Sequence, residues 1–209
     1  MAIQISSAAN PRVKETLALA KHAERARRRE TVVEGEREVR RALAVGLIPH
    51  TAFVCPSLLS PTGLALAAQL RVLDQARHTL LVEVTPELFA KLAYRGDSGG
   101  LLLVIPYLAA TLDSLTPPEP AFIAVIEGVE KPGNLGAILR TADAAGVHAV
   151  IVAAGATDLH NPNVVRASLG TLFTVPVVEA TTEETIAWLR QRAIRIIATR
   201  PDASLKYTA

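Results

Sequence analysis

The side chains best equipped for chemistry lie in one stretch, EGVEKPGNLGAILRTADAAG, running from Glu127 to Gly146. It follows an apolar run, Phe122 to Ile126, and places an amide, Asn134, six residues before a guanidinium, Arg140. If a helix starts at Asn134, a residue suited to capping, Arg140 projects sideways from its second turn. A rigid fork of donors there suits a phosphate, or the charge that grows on an attacked oxygen. Gly133 and Gly136 would organise the loop by letting a ligand or a neighbouring segment come close to the backbone. The same residues also read as a polar turn beside an arginine. The glycines do not form the dinucleotide fingerprint G-x-G-x-x-G, and no Gly-Lys-Ser/Thr follows to make a phosphate loop. Glu127, at the strand end, either organises the loop through backbone N–H groups or acts as a capping carboxylate. Arg166, in NPNVVRAS, is either a second phosphate clamp or a helix residue paired with Asp158 or Glu179.

A second candidate is electrostatic. Residues 1–41 hold ten Lys and Arg against six Asp and Glu, a net of +4 in a chain whose total is +2. Lys14, Lys21, Arg25 and Arg28 recur at helical spacing, and Arg27 and Arg29 widen the stripe. Such a stripe tracks the phosphates of a nucleic acid, or it is a solvated helix face. The five histidines are scattered without paired spacing, so no metal site is expected.

These residues need elements to hold them. Asn10-Pro11 is a cap and first-turn pair, predicting a helix from there to about Arg29 with Val13, Leu17 and Ala20 inward. Strands and helices then alternate, and Leu101 to Ile105 reads as a strand buried on both faces. TLDSLTPPEP, Thr111 to Pro120, carries three prolines in ten residues and marks a linker. Beyond it the sequence predicts a strand at Phe122–Ile126, a helix from about Asn134 to Ala145 and a strand at Ala149–Ala153. Further elements follow: a helix near Val164–Leu169, a strand near Thr174–Val178, a helix Thr182–Arg192 and a strand Arg195–Ala198. The alternation predicts an α/β fold with a parallel sheet covered by helices. In such a sheet, sites form at the carboxyl ends of strands, which is where the Glu127 loop lies.

KPGNLGAILRTADAAG resembles the first motif of the SpoU (TrmH) branch of the knotted SPOUT methyltransferases, and NPNVVRASLGTLFTVPVV, Asn161 to Val178, resembles the segment that follows it there. Upstream, ISSAANPRVKETLAL and TVVEGEREVRRALAVG resemble the substrate-binding domain of the ribosomal-RNA members, so the similarity covers nearly the whole chain. The resemblance implies methyl transfer from S-adenosylmethionine to a ribose 2′-hydroxyl of RNA, most simply 23S ribosomal RNA, by a homodimer. It assigns Asn134 and Arg140 to the catalytic centre, and the charge pattern then gives Lys21, Arg25, Arg27, Arg28, Arg29 and Arg166 to the RNA. It implies a small α/β substrate-binding domain over residues 1–106, a linker over 107–120 and a SPOUT (α/β knot) domain over 121–209. The family continues with two further motifs, a Gly-x-Glu loop and one like Ser-Leu-Asn-Val-Ser, which tie the knot and form most of the cofactor pocket. Neither occurs in these 209 residues. The expectation is therefore an incomplete methyltransferase domain, with its knot-forming part missing and a sheet edge or apolar patch exposed. The alternative is a truncated relative that binds RNA without catalysis.

Composition narrows the classes further. Half of the residues are apolar and 20% charged, which excludes a disordered chain. The longest apolar stretch, Leu101 to Ala110, is broken by Pro106 and is about half the ~20 residues that span a bilayer, so no membrane role is expected. One cysteine, Cys55, permits no internal disulfide and points to a reducing, cytoplasmic setting.

Overall fold

The computed structural model describes residues 3–94 and 98–199; the tail at 202–209 lies outside the described residues. Two sheets carry the fold. The first has five strands in the order β1-β4-β3-β5-β2: β1 (Ile3–Ile5), β2 (Glu30–Glu34), β3 (Thr51–Val54), β4 (Leu80–Val84) and β5 (Leu101–Pro106). β1, β4 and β3 run parallel, while β5 is antiparallel to both β3 and β2, so this sheet is mixed. The second is parallel throughout, in the order β6 (Ile123–Glu127), β7 (Ala149–Ala153), β8 (Val177–Ala180). β5 and β7 are central and buried over five consecutive residues, which explains their unbroken apolar sequences.

The helices start where local chemistry supplies caps. Asn10 accepts the Arg12 N–H at the head of α1 (Pro11–Ala18), and Ser60 does the same for Gly63 in α4 (Pro61–Gln75). Thr181 and Glu184 form a reciprocal capping box on α8 (Thr182–Gln191). α3 (Glu36–Ala44) and α5 (Pro86–Leu92) complete the helices of the first half.

The single helix expected from Asn10 to Arg29 is instead two, α1 and α2 (His22–Arg28), with a turn at Leu19–Lys21. Leu19, not Leu17 or Ala20, is the residue buried there, and Leu17 is exposed. The turn frees the carbonyls of Leu19 and Ala20, and both are taken up by the Arg25 guanidinium at 2.8 and 2.9 Å. Lys14 and Arg25 therefore do not share one helical stripe. The strand expected at Arg195–Ala198 does not form. Those residues pair with no strand, and Ile196 and Ile197 are exposed, because β-branched composition makes no strand without a ladder partner. β6 sits at a sheet edge with Val125 42% exposed and Phe122, just before it, 53% exposed.

The proline-rich segment separates the sheets but not the cores. The largest apolar cluster joins Val33, Val39 and Leu66 of the first half to Leu135, Leu139, Val164 and Phe173 of the second. Among the described residues no helix is long and apolar enough to cross a membrane.

Candidate active site

α6 spans Pro132–Ala144, two residues earlier than Asn134 suggested. Pro132 takes the first helical position, where its missing N–H costs nothing and its fixed φ fits. Lys131 is consequently the cap, and Asn134 is the third helical residue, exposed and with its side-chain amide in no hydrogen bond among the described residues. Two turns on, Arg140 is exposed, and its Nη1 donates to the Ala167 carbonyl at the end of α7 (Pro162–Ala167). That carbonyl belongs to the last helical turn and lacks an intrahelical partner. One donor of the fork is thus used to steady the side chain, and the others have no partner among the described residues.

Gly136 organises a helix contact, not the loop. A Cβ at this position would lie 2.5 Å from Ala167 Cβ and 2.7 Å from the Ser168 nitrogen. Only glycine lets α6 come close enough for Arg140 to reach the end of α7. Gly136→Ala should lower stability by about 1–3 kcal/mol, the usual cost of overpacking, in a urea melt. An unchanged midpoint would mean that the two helices separate freely. Gly133 has open space around it, with nothing within 4 Å of an added Cβ.

Glu127 does not bind the N–H groups of its own loop. It accepts the Thr182 hydroxyl at 2.7 Å, because the first residue of α8 faces it at the carboxyl end of the sheet. Arg166 pairs with neither Asp158, which Arg25 holds, nor Glu179. It reaches Glu34 of β2 at 3.4 Å, donates to Asn163 Oδ1 at 2.9 Å and lies over the Tyr94 ring at 4.8 Å. Its fork joins the halves, which favours the structural reading over the clamp.

The basic run divides in the same way. Arg25 is 2% exposed; it donates to Asp158 Oδ2 through Nη2 at 2.6 Å and through Nε at 3.0 Å. A guanidinium held by a carboxylate and two carbonyls in the interior has its donors engaged, which favours a structural role for Arg25 over an RNA contact. Arg27 pairs with Glu24, and Arg28 with Glu15 and Glu24. Among the described residues Lys21 and Arg29 have no carboxylate within 4 Å, and Arg29 covers the Tyr107 ring at 4.9 Å. Sequence reasoning missed what Asp158, His160 and Tyr107 do, because their partners lie more than fifty residues away.

His160 marks this junction. It is 5% exposed and stacks on Tyr107 at 3.7 Å; its Nε2 accepts the Leu108 N–H, and the Thr31 hydroxyl donates to its carbonyl. Burial pulls its pKa from 6.5 down to about 4, so the ring is neutral and free to accept. Unfolding exposes a histidine that protonates more readily. Stability is therefore complete above pH 6.5 and falls as pH drops from 6.5 toward 4, by on the order of 3 kcal/mol at most. His160→Asn, which keeps an acceptor but cannot titrate, should flatten this part of the urea-midpoint profile. Equal slopes would assign the loss to carboxylates. Among the described residues no group of three or more His, Cys, Asp or Glu is placed to hold a metal.

Comparison with known proteins sets this geometry in context. The family model of the SpoU rRNA methylase family matches residues 121–208, and that of the MRM3-like substrate binding domain matches residues 10–102. The chain is 28% identical over 197 residues to the Bacillus subtilis 23S rRNA (guanosine(2553)-2′-O)-methyltransferase RlmP, covering 94% of this chain and 73% of that protein. It superposes on a crystal structure described as an RNA 2′-O ribose methyltransferase with a TM-score of 0.79 and 38% identity, covering 97% of this chain and 75% of the other. The SpoU methyltransferase AviRb from Streptomyces viridochromogenes, solved in complex with the cofactor AdoMet, gives a TM-score of 0.76 at 29% identity, covering 88% of this chain and 68% of the other.

Proposed function

Because the chain belongs to the SpoU rRNA methylase family, we propose that the protein transfers the methyl group of S-adenosylmethionine to a ribose 2′-hydroxyl of 23S ribosomal RNA. The observation that carries the site assignment is the pairing on α6 of an unengaged amide, Asn134, with a guanidinium, Arg140, fixed at one corner by the Ala167 carbonyl. A ribose hydroxyl is a weak nucleophile, so the protein's task is to hold it in line and to stabilise the charge that grows on its oxygen. Arg140 carries a guanidinium, a planar array of donors. It therefore acts as a charge and a fork, gripping the phosphate next to the reacting ribose while Asn134 orients the sugar.

S-adenosylmethionine supplies the methyl group when bound. Gly128 and Gly133 leave open space on the loop, with nothing within 4 Å of an added Cβ. The exposed apolar side chains at Phe122 and Val125 support a homodimer that covers them, and a ribosomal RNA substrate supports a cytoplasmic setting. Mapping 2′-O-methyl positions in ribosomal RNA from cells with and without the gene tests this function. One position should lose its methyl group in the deletion strain, and an unaltered map would refute the assignment.

A further inference from the structure

The two halves enclose a cleft of about 840 Å³. One wall is α2 with Tyr107 and the residues after it; the other is the loop at 155–161, with Glu130 and Glu179, at the carboxyl ends of the parallel strands. Its size suits one nucleotide and excludes a duplex. Two hydroxyls on this cleft, Thr157 Oγ1 and Tyr107 Oη, are buried and have no hydrogen-bond partner among the described residues. Thr157 is only 4% exposed. A buried hydroxyl left unpaired costs about 1–3 kcal/mol, so two of them in one cleft suggest partners that arrive with a ligand.

The lining specifies that ligand's chemistry. The hydroxyls and the Arg29 guanidinium, which faces only the Tyr107 ring, call for acceptors. Glu130 and Glu179 call for donors; one Glu179 oxygen takes the Leu159 N–H at 3.2 Å and the other has no partner among the described residues. A bare polyanion would be repelled by the carboxylates, and an apolar group would strand the hydroxyls. A nucleotide has phosphate and ribose acceptors together with amine and hydroxyl donors. We propose that this cleft binds one unstacked nucleotide of the RNA substrate, apart from the ribose held at Arg140. Splayed single-stranded bases are the form in which proteins ordinarily read RNA sequence. The proposal rests on the reading that the substrate is RNA.

Thr157→Val and Tyr107→Phe in the full-length protein provide the test, because each removes an unpaired hydroxyl and little else. Each variant should melt at or above the temperature of the parent, since an unsatisfied group has been removed. Each should nevertheless bind an unstructured oligoribonucleotide about threefold to tenfold more weakly, while duplex binding stays constant. A thiouridine in that oligonucleotide should photocrosslink to residues 107–111 or 155–161. Unchanged single-strand affinity with crosslinks elsewhere would overturn the proposal and leave RNA methylation intact. Weaker binding of S-adenosylmethionine, with RNA binding unaffected, would make the cleft a cofactor pocket and also overturn it. Crosslinks in the cleft without methyl transfer to any ribosomal RNA would uphold the cleft and refute the methyltransferase reading.

Discussion

Arg140→Ala lowers the single-turnover rate of methyl transfer by about two to three orders of magnitude, the usual cost of removing one preorganised donor from developing charge. The fold should barely respond. Arg140 is exposed, and its one bond to the Ala167 carbonyl closes an end that water can also satisfy. Arg140→Lys should be nearly as slow, because an ammonium cannot both cap Ala167 and present a planar fork to a phosphate. Rapid-quench measurement with labelled S-adenosylmethionine and a ribosomal RNA fragment checks this, with a melting curve as the control. A lysine variant that retains most of the rate would show that charge alone suffices. An alanine variant that does so would make the residue structural.

Arg25→Ala is expected to cost about 3–5 kcal/mol, the penalty for breaking a buried ion pair from one side. The substitution strands the Asp158 carboxylate, held at 2.6 Å, and the carbonyls of Leu19 and Ala20, which the same guanidinium satisfies. It also removes the link between α2 and the loop that ends in His160. Denaturant unfolding should register the full loss. The double variant Arg25→Met with Asp158→Leu should recover much of it, since two apolar groups leave no orphaned charge. A cost below about 1 kcal/mol for Arg25→Ala would mean that the pair is wet and exchangeable. Lys21→Ala should behave in the opposite way, keeping stability and reducing the salt slope of RNA binding by about one.

The contrast between Arg25 and Lys21 shows what could be read from the sequence. Composition and spacing place both in one basic run, and only tertiary structure separates them. Arg25 points inward because the chain turns at Leu19–Lys21, and its partner Asp158 lies 133 residues away, beyond the reach of any periodicity argument. Arg166 is a similar case: its partner was sought at Asp158 or Glu179 and found at Glu34, on another sheet. Strongly patterned elements were legible. β5 and β7 announce themselves as unbroken apolar runs, α1 by Asn10-Pro11, and α6 by its position after an apolar run. Short or unpartnered elements were not. β1 is three residues long, and the apolar segment at 195–198 stays out of the sheet because no strand pairs with it. At the candidate site, family resemblance assigns Asn134 and Arg140, and α6 carries both. The part played by Gly136 needed coordinates, because a close approach between α6 and α7 leaves no trace in residue spacing.

The central claim is that the group modified is a ribose 2′-hydroxyl, and its chemistry allows a direct measurement. Alkaline cleavage of RNA requires that hydroxyl, so a methylated ribose leaves a gap in the hydrolysis ladder. Unmodified 23S ribosomal RNA incubated with the full-length protein and S-adenosylmethionine should show one such gap, absent without the cofactor and absent with Arg140→Ala. Label incorporated into the RNA with an unbroken ladder would place the methyl group on a base and contradict the account.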